Sequence, residues 1–424
     1  MKLIKINESY AARTLNTNEP SETLITKQTL SALSEKNYNL IIYFYLHWIN
    51  ESSLSEDARK IASHPAANHL KNESTLLFLD YTHECFNEHA NHTQTLKKHL
   101  LEPIKASTNR TLICSQTTTK EINQKAISHA THHLYAHAYS LKKNIKNLVE
   151  TERENLNQET LKDFICMNSN IRPHRTALYS YLTANNLLEN SHTSFRPSGI
   201  RRGKNSEKNL EITQKNFDNS RKIFPSFSNL ITNLSSLSHS ELAREIDQID
   251  SSSNAVTLSN SPPWKQIINS RLYISTESEF HQRNHPTRFT EKTLNPILAK
   301  VPFIIAGLPG TLETLQQLGF RDPFQGTTIA QKINWDNTKN PDKRLREIAL
   351  FINGWVANRK ISAEDKKIIS ETCSFNQTHM LSKRLRETLF NNFYHDLLNI
   401  PPAPTNSKAQ KLETIKTKFK SHNI

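Results

Sequence analysis

Short apolar runs alternate with polar, helix-like segments through the first 140 residues, and this alternation limits the folds open to the chain. Each run has four to eight residues rich in Ile, Leu, Tyr and Phe, and the runs lie at Lys2–Ile6, Asn39–Leu46, Thr75–Leu79, Thr111–Cys114 and His133–Ala138. Helix-like stretches lie between them at Ser55–Ala62, His92–Leu101 and Lys120–Ile127. The pattern is typical of buried parallel strands joined by crossover helices. It predicts an α/β domain over residues 1–145.

A second α/β region follows and is predicted to extend over residues 146–400. Its expected strands are Asp163–Asn168, Arg271–Ser275 and Val301–Ala306, and helices are expected from Asn340 to about Leu398. Residues 196–222 carry eight basic and three acidic side chains without a sustained apolar period, which predicts a mobile basic insertion. A lysine-rich tail is expected over 401–424. The predicted fold class is therefore α/β, with two Rossmann-like lobes, a basic insertion and C-terminal helices.

Glycine is scarce and unevenly placed. Only seven glycines occur, the first at Gly199, so residues 1–198 cannot contain a glycine-rich phosphate loop. Five of the seven fall between Gly307 and Gly354. Sharp turns and close approaches of the backbone to a ligand are therefore expected in the second lobe.

Charge and cysteine content restrict the class of protein. Lys and Arg exceed Asp and Glu by 54 − 40 = +14. Four widely separated cysteines support neither a disulfide framework nor a zinc finger. No apolar run is long enough to span a bilayer, and the N-terminus lacks a secretory signal. The sequence predicts a cytoplasmic protein with no transmembrane segment.

The segment from Arg288 to Gly310 carries the strongest chemical signal. Glu291 and Lys292 lie side by side at a loop-to-helix junction, and a short apolar strand then ends at Gly307. Thr311 is placed to cap the following helix, and helix N-termini bind phosphate well. Lys292 would add a full positive charge and Glu291 an acceptor for sugar hydroxyls. An ordinary solvated first turn is the simpler alternative. Pro296 is expected to delay the start of this helix to about Thr293.

Two further side chains follow predicted strands. Arg175 lies in the basic turn after Asp163–Asn168, and its planar fork matches the geometry of a diphosphate. Glu277 follows Arg271–Ser275 at the carboxyl end of that strand, where ligands of α/β proteins bind. A surface arginine and a loop-capping carboxylate are the structural alternatives.

In combination, these segments resemble a group of phage and bacterial glycosyltransferase-like proteins over roughly residues 75–360. The resemblance is carried by Phe164–Asn168, Arg172–Arg175, Thr276–Glu277, Phe289–Thr293, Pro296–Ile297, Pro302–Ile305 and Thr311–Phe320. The part from about 270 to 310 is also similar to the donor-binding segment of alpha-1,3-fucosyltransferases. After Phe320 the pattern departs: an acidic stretch is expected, and only Trp335 and Asp336 of it are present.

The resemblance implies a GT-B glycosyltransferase that moves a sugar from a nucleotide-sugar donor to an acceptor hydroxyl. Arg175 and Lys292 would neutralise the donor diphosphate, Glu291 would contact ribose or sugar, and Glu277 would be a second donor-lobe carboxylate. Thr290 and Gly307 belong to the same implied donor site. No metal or cofactor is expected, since Lys, Arg and a helix N-terminus would stabilise the leaving diphosphate. The acceptor (DNA, glycan, lipid or protein) is left open.

An inverting transferase also needs a general base, expected in the N-terminal lobe. Glu84 is the first candidate, Asp80 the second and His47 the third, since each follows a predicted strand. Each is also a common type of turn or cap residue. The histidines at 129, 132, 133 and 137 lack a completing carboxylate or cysteine, so no metal site is predicted.

The basic balance also suggests a different class of function. Arg201, Arg202 and Lys204, with the lysine-rich tail, would bind nucleic acid through its phosphates without reading sequence. No DNA-reading motif accompanies them. The alternative function is therefore a non-catalytic nucleic-acid-binding protein, and a transferase acting on nucleic acid would combine the two.

Overall fold

The computed structural model describes residues 2–6, 27–45, 51–81, 92–104, 110–116, 128–142, 144–154, 161–168, 171–195, 206–242, 262–282, 287–329, 335–358 and 360–403. The chain forms two compact units, one of Met1–Leu134 with Glu387–Ile424 and the other of Tyr135–Arg386. Each unit is built on a parallel sheet with helices between its strands. The prediction of an α/β protein with two Rossmann-like lobes and C-terminal helices is confirmed.

The division between the two units differs from the one predicted from the sequence. The sequence placed the boundary after residue 145 and kept residues up to 400 in the second lobe. In the structure the last helix, Lys383–Leu398, leads the chain back, and its residues from Glu387 onward belong to the first unit. The packing of a C-terminal helix on a distant N-terminal sheet does not change the local composition, so the sequence pattern could not predict it.

The first unit has a five-stranded sheet whose strands follow one another in chain order. The strands are β1 (Lys2–Ile6), β2 (Leu40–Tyr45), β3 (Thr75–Tyr81), β4 (Thr111–Ser115) and β5 (Ser128–Thr131), all parallel. Its helices are α1 (Lys27–Glu35), α2 (Glu51–Ser63), a 3-10 segment (Pro65–Lys71) and α3 (His92–Leu96), which a π-helical turn (Lys97–Leu101) continues. The helix expected at Lys120–Ile127 lies outside the described residues.

One predicted strand is wrong. His133–Ala138 was expected to be the fifth strand, but Leu134–Ser140 forms helix α4 and β5 precedes it. Ala136, Tyr139 and Ser140 are buried, and their spacing of three and four residues places them on one face of a helix. The true strand reads Ser-His-Ala-Thr and lacks the apolar run on which the prediction relied.

Side chains of β2, β3 and β4 alternate between two cores, one on each face of the first sheet. Ile42, Leu77 and Ile113 pack with Leu54 and neighbouring residues of α2 and α3. On the opposite face, side chains of the same strands pack with α1 and with the C-terminal segment, through Ile41, Tyr43, Leu76, Phe78, Leu112, Ala32, Leu33, Phe393, Leu397 and Ile400. The C-terminal segment therefore covers a sheet face of the first unit.

Two buried histidines make the first unit sensitive to acid. Burial lowers the pKa of both His129 and His133 to about 4. An unfolded imidazole titrates near 6.5, so between about pH 6.5 and 4 the unfolded chain binds more protons than the folded unit. Stability is therefore lost as the pH falls through that window.

We expect His133→Gln to remove about 3 kcal/mol of this acid sensitivity. Urea unfolding at neutral pH and near pH 4 measures it as a smaller difference between the two unfolding free energies. His69→Gln, at an exposed position, is the matched control and should leave the difference unchanged. A wild-type pH dependence in His133→Gln would contradict the burial argument.

The second unit has a four-stranded parallel sheet in the order β7-β6-β8-β9. The strands are β6 (Phe164–Asn168), β7 (Ser191–Phe195), β8 (Tyr273–Thr276) and β9 (Phe303–Ala306). The chain adds β7 on one side of β6 and then returns to add β8 on the other side. The carboxyl ends of β6 and β8 therefore form the topological switch point of this sheet, where ligands of open α/β sheets bind.

Helices surround the second sheet. They are α5 (Ile145–Glu154), α6 (Pro173–Ala184), α7 (Ser206–Ile223), α8 (Ser228–Ser235), α9 (His239–Leu242), α10 (Trp264–Ile268), α11 (Glu291–Leu298), α12 (Thr311–Gln317), α13 (Pro341–Ala357) and α14 (Ala363–Met380). The next helix is α15 (Lys383–Leu398), which lies mostly in the first unit. No helix of the described ranges is long and apolar enough to cross a membrane.

Two local predictions in this unit need correction. The segment 196–222 was expected to be a mobile loop, but from Ser206 it forms α7, which buries Thr213, Phe217 and Ser220 at helical spacing. Because the buried face is partly polar, the sequence shows no helical period of apolar residues there. Helix α11 begins at Glu291, before the expected start near Thr293, and Pro296 lies inside it.

Candidate functional site

Arg175 lies in α6, after β6, and works as an internal clamp. Its side chain is 2% exposed, and its Nη2 donates to the carbonyl oxygens of Thr276 (2.7 Å) and Glu277 (3.3 Å). Burial lowers its pKa to about 10, so the guanidinium stays charged at neutral pH. The clamp ties the end of β8 to α6, and this donor atom of Arg175 is already engaged by the backbone.

Glu277 binds the start of α11. Its carboxylate accepts hydrogen bonds from Thr290 N (2.9 Å), Thr290 Oγ1 (2.8 Å) and Thr293 Oγ1 (2.6 Å), and the residue is 1% exposed. Thr290 is the N-cap of the helix and its hydroxyl accepts from Lys292 N. These bonds fix the helix start two residues ahead of Thr293 and explain why Pro296 does not delay it.

Glu291 and Lys292 form an ion pair with each other. Their side chains are 13% and 12% exposed, with Lys292 Nζ 2.9 Å from Glu291 Oε1, and Nζ also donates to Thr290 Oγ1 at 3.2 Å. Burial is the largest single cause and acts to raise the pKa of Glu291, but the Lys292 ammonium and the hydrogen bonds to the carboxylate together lower it. Of the residues predicted for the donor site, this pair retains access to solvent.

The structure thus brings five of the six predicted donor residues into one hydrogen-bond network, which runs from Arg175 through Glu277 and Thr290 to the Glu291–Lys292 pair. Gly307, the sixth, follows β9 and lies close to α12. A Cβ added there would lie 3.0 Å from Thr311 Oγ1, so the glycine permits tight helix–strand packing.

The N-terminus of α12, predicted to receive phosphate, already holds a carboxylate. Asp336 accepts from Leu312 N and Glu313 N at 3.2 Å each, and its backbone oxygen accepts from Gly310 N at 2.9 Å. Gly310, with φ of 80°, is the N-cap in place of Thr311. Burial raises the pKa of Asp336, although these N–H groups favour its charged form. The helix N-terminus that the sequence predicted to bind phosphate is therefore occupied by the Asp336 carboxylate.

Arg172, the N-cap residue of α6, is the cation that sequence reasoning missed. The residue is half-buried, the helix has no side-chain cap, and no carboxylate of the described residues pairs with its guanidinium. Burial is the largest cause that lowers the pKa of Arg175 and of His281, and the positive charge of Arg172 is the second largest. Pro173 in the first turn was the available signal, because proline there marks the preceding residue as the N-cap.

Several hydrogen bonds and a ring contact hold the described part of the loop after β8. His174 Nε2 donates to Glu277 O (3.0 Å), and its ring stacks on Phe280 at 5.0 Å between centroids. Arg344 donates to Phe280 O, and Arg288 forms two bonds of 2.7 and 2.8 Å with the carboxylate of Glu279. Burial, Arg172 and Arg344 together lower the pKa of His281, which indicates a positive potential at this loop.

The catalytic candidates of the N-terminal lobe are only partly described. Asp80 lies on β3 and is fully buried, and the Tyr43 hydroxyl donates to its carboxylate. Glu84 and His47 lie outside the described residues, as do Arg201, Arg202 and Lys204 and the tail from 404 onward. Within the described ranges, no three His, Cys, Asp or Glu side chains group closely enough to hold a metal ion.

Comparisons with known proteins give distant structural likenesses only. No protein-family model and no curated protein sequence matches the chain. A trehalose-6-phosphate synthase, OtsA, overlaps 95% of this chain and 99% of its own, with 8% identity and a TM-score of 0.41. The E. coli trehalose-6-phosphate structure bound with UDP-2-fluoro glucose overlaps 95% and 100%, with 10% identity and a TM-score of 0.41. The N-terminal domain of Candida albicans trehalose-6-phosphate phosphatase overlaps 87% and 72%, with 9% identity and a TM-score of 0.40. Likenesses at this level carry no argument about activity.

Proposed function

We propose that the chain is a metal-independent glycosyltransferase that binds a nucleotide-sugar donor at the switch point of its second unit. The observation that carries the proposal is the position of Arg172. It lies at the N-terminus of α6, which has no side-chain cap, and this end of α6 meets the end of β8 through bonds from His174 and Arg175 to backbone oxygens. Arg172 forms no ion pair with a carboxylate of the described residues. A doubly phosphorylated nucleoside supplies the negative charge that this position lacks.

Departure of a nucleoside diphosphate is the step that such a site assists. Negative charge develops on the leaving phosphate as the bond to the sugar breaks, and fixed cations placed there in advance lower the barrier. In this proposal Arg172 contacts the diphosphate, while Arg175 holds the β8 end in place. That assignment revises the expectation that Arg175 itself contacts phosphate.

The Glu291–Lys292 pair is assigned to the same donor. It begins α11, which Glu277 ties to the end of β8. When a phosphate oxygen binds Lys292, the Glu291 carboxylate is released to accept hydrogen bonds from ribose or sugar hydroxyls. For the general base, full burial and the Tyr43 hydrogen bond count against Asp80. Glu84 and His47 stay as predicted candidates.

Arg172→Gln tests the proposal. We expect a nucleoside diphosphate (UDP, GDP or dTDP) or a CMP conjugate to raise the melting temperature of the wild type. In the variant, titration calorimetry should show about 10- to 100-fold weaker binding of that ligand, the loss expected for one charge-assisted contact. The melting temperature without ligand should not fall, because Arg172 forms no ion pair with a carboxylate of the described residues and its charge repels Arg175.

Arg346→Gln is the matched control, since Arg346 is exposed on α13. It removes the same charge and should bind the ligand as the wild type does. If no nucleotide in the screen shifts the melting temperature, or if both variants weaken binding equally, the donor site is wrongly assigned. Strong salt-dependent DNA binding without nucleotide affinity would favour the nucleic-acid alternative.

A further inference from the structure

An open apolar groove lies on the second unit, apart from the switch-point residues. It has a volume of about 460 Å³ and is formed where α5 and α10 begin. Its lining consists of Leu141, Lys142, Asn144, Ile145, Leu148, Pro262 and Trp264. None of these residues takes part in the network around Glu277.

Two leucines of this groove are unusually exposed. Leu141 is 49% and Leu148 43% exposed, whereas Ile145 between them is 8% exposed. Leu141 lies in the turn after α4, Ile145 and Leu148 are three residues apart on α5, and all three line the groove. Leaving leucine in water is unfavourable, so two on one groove indicate a surface that is covered when the protein works.

The groove has basic side chains beside it. Lys146 is 57% exposed on the first turn of α5, and Lys265 is exposed next to Trp264 on α10. Lys142 lies in the lining, with Nζ 4.1 Å from the centre of the Tyr139 ring. Glu150, on the same helix, lies 3.9 Å from Lys146. Apolar side chains with an aromatic and flanking lysines are the pattern of a helix that lies on a membrane surface.

We propose that this groove docks the protein onto a membrane surface rich in anionic lipid headgroups. Leu141, Leu148 and Trp264 enter the boundary between headgroups and acyl chains. Lys146 and Lys265 contact the lipid phosphates. Nucleic acid fits less well, because its phosphate backbone gives exposed leucines nothing to bury against. The proposal does not depend on the transferase assignment.

Vesicle co-flotation of the full-length protein tests it, using phosphatidylcholine vesicles with and without phosphatidylglycerol at physiological salt. The wild type should bind the anionic vesicles. The double variant Leu141→Ser/Leu148→Ser should bind these vesicles at least about tenfold more weakly, since the buried apolar contact is lost. Lys146→Gln/Lys265→Gln should also weaken binding, and it should do so only for the anionic vesicles.

The matched controls replace the same residue types, two exposed leucines or two exposed lysines, elsewhere in the second unit. Leu237→Ser/Leu350→Ser changes leucines that are 37% and 52% exposed outside the groove. Lys366→Gln/Lys367→Gln removes two exposed lysines from α14. Both controls should bind vesicles as the wild type does.

Four results would overturn the proposal. The first is no binding of the wild type to anionic vesicles. The second is an equal loss in both lysine pairs, which would show only diffuse attraction by a protein of net charge +14. The third is wild-type vesicle binding by the groove leucine variant. The fourth is self-association of the wild type, seen by light scattering and abolished by that variant, which would make the groove an interface between copies.

Discussion

Replacing Phe393 with alanine is expected to lower the free energy of unfolding of the first unit by about 3–5 kcal/mol. Phe393 lies on α15 and is fully buried in the core on one face of the five-stranded sheet. Its ring centroid lies 6.3 Å from that of Phe78 on β3 and 6.0 Å from the ring of His132. Truncation would leave a cavity against the centre of the sheet, where rigid strands cannot close it.

Urea unfolding followed by circular dichroism measures the effect, with two transitions expected if the units unfold separately. Leu398→Ala is the matched control, since Leu398 is on the same helix and 43% exposed. It should change the unfolding free energy by less than about 1 kcal/mol. A Phe393→Ala protein that unfolds at the wild-type urea concentration would show that the C-terminal segment does not complete the first core.

Replacing Glu277 with alanine is expected to cost the second unit about 3–5 kcal/mol. The variant removes three hydrogen bonds at the start of α11 and leaves Thr290 N and two hydroxyls without their acceptor. It also removes the carboxylate whose charge supports the buried Arg175 guanidinium. An uncompensated buried charge is costly because neither water nor a counter-ion replaces the lost partner.

The conservative variant separates charge from shape. Glu277→Gln keeps the volume and one acceptor oxygen, so we expect an intermediate loss of unfolding free energy. Glu364→Ala, at an exposed position in the first turn of α14, is the control and should stay within about 1 kcal/mol of the wild type. Equal stability of Glu277→Ala and the wild type would mean that the network around α11 is not needed for the fold.

The strands were predictable where burial makes most of their residues apolar. β2 and β3 lie inside a parallel sheet and are hydrophobic along most of their length, so their positions follow from the sequence. β5 is short and reads Ser-His-Ala-Thr. It pairs with β4 although its sequence has no apolar run, so the sequence pattern did not predict it. α7 was missed for a similar reason, since it buries Thr213 and Ser220 beside Phe217.

The grouping of the candidate residues was predictable, but their pairings were not. Arg175, Glu277 and Thr290 were predicted to serve one donor site, and in the structure they lie in one hydrogen-bond network. Which groups satisfy one another depends on tertiary geometry. Arg172 and Arg175 belong to one short motif, yet the first is at the N-cap and the second faces the interior. Asp336 reaches α12 from a loop that is remote in sequence.

The return of α15 to the first unit also orders events during synthesis. Domains generally fold as units while the chain emerges from the ribosome, N-terminal ones first. Here the earlier unit lacks one layer until residues after Glu387 are made, whereas Tyr135–Arg386 is continuous. We therefore expect Tyr135–Arg386 to complete its fold before the first unit does. The part of the first sheet that α15 covers, beside α1, stays exposed in the meantime, and chaperones bind exposed apolar surface of this kind.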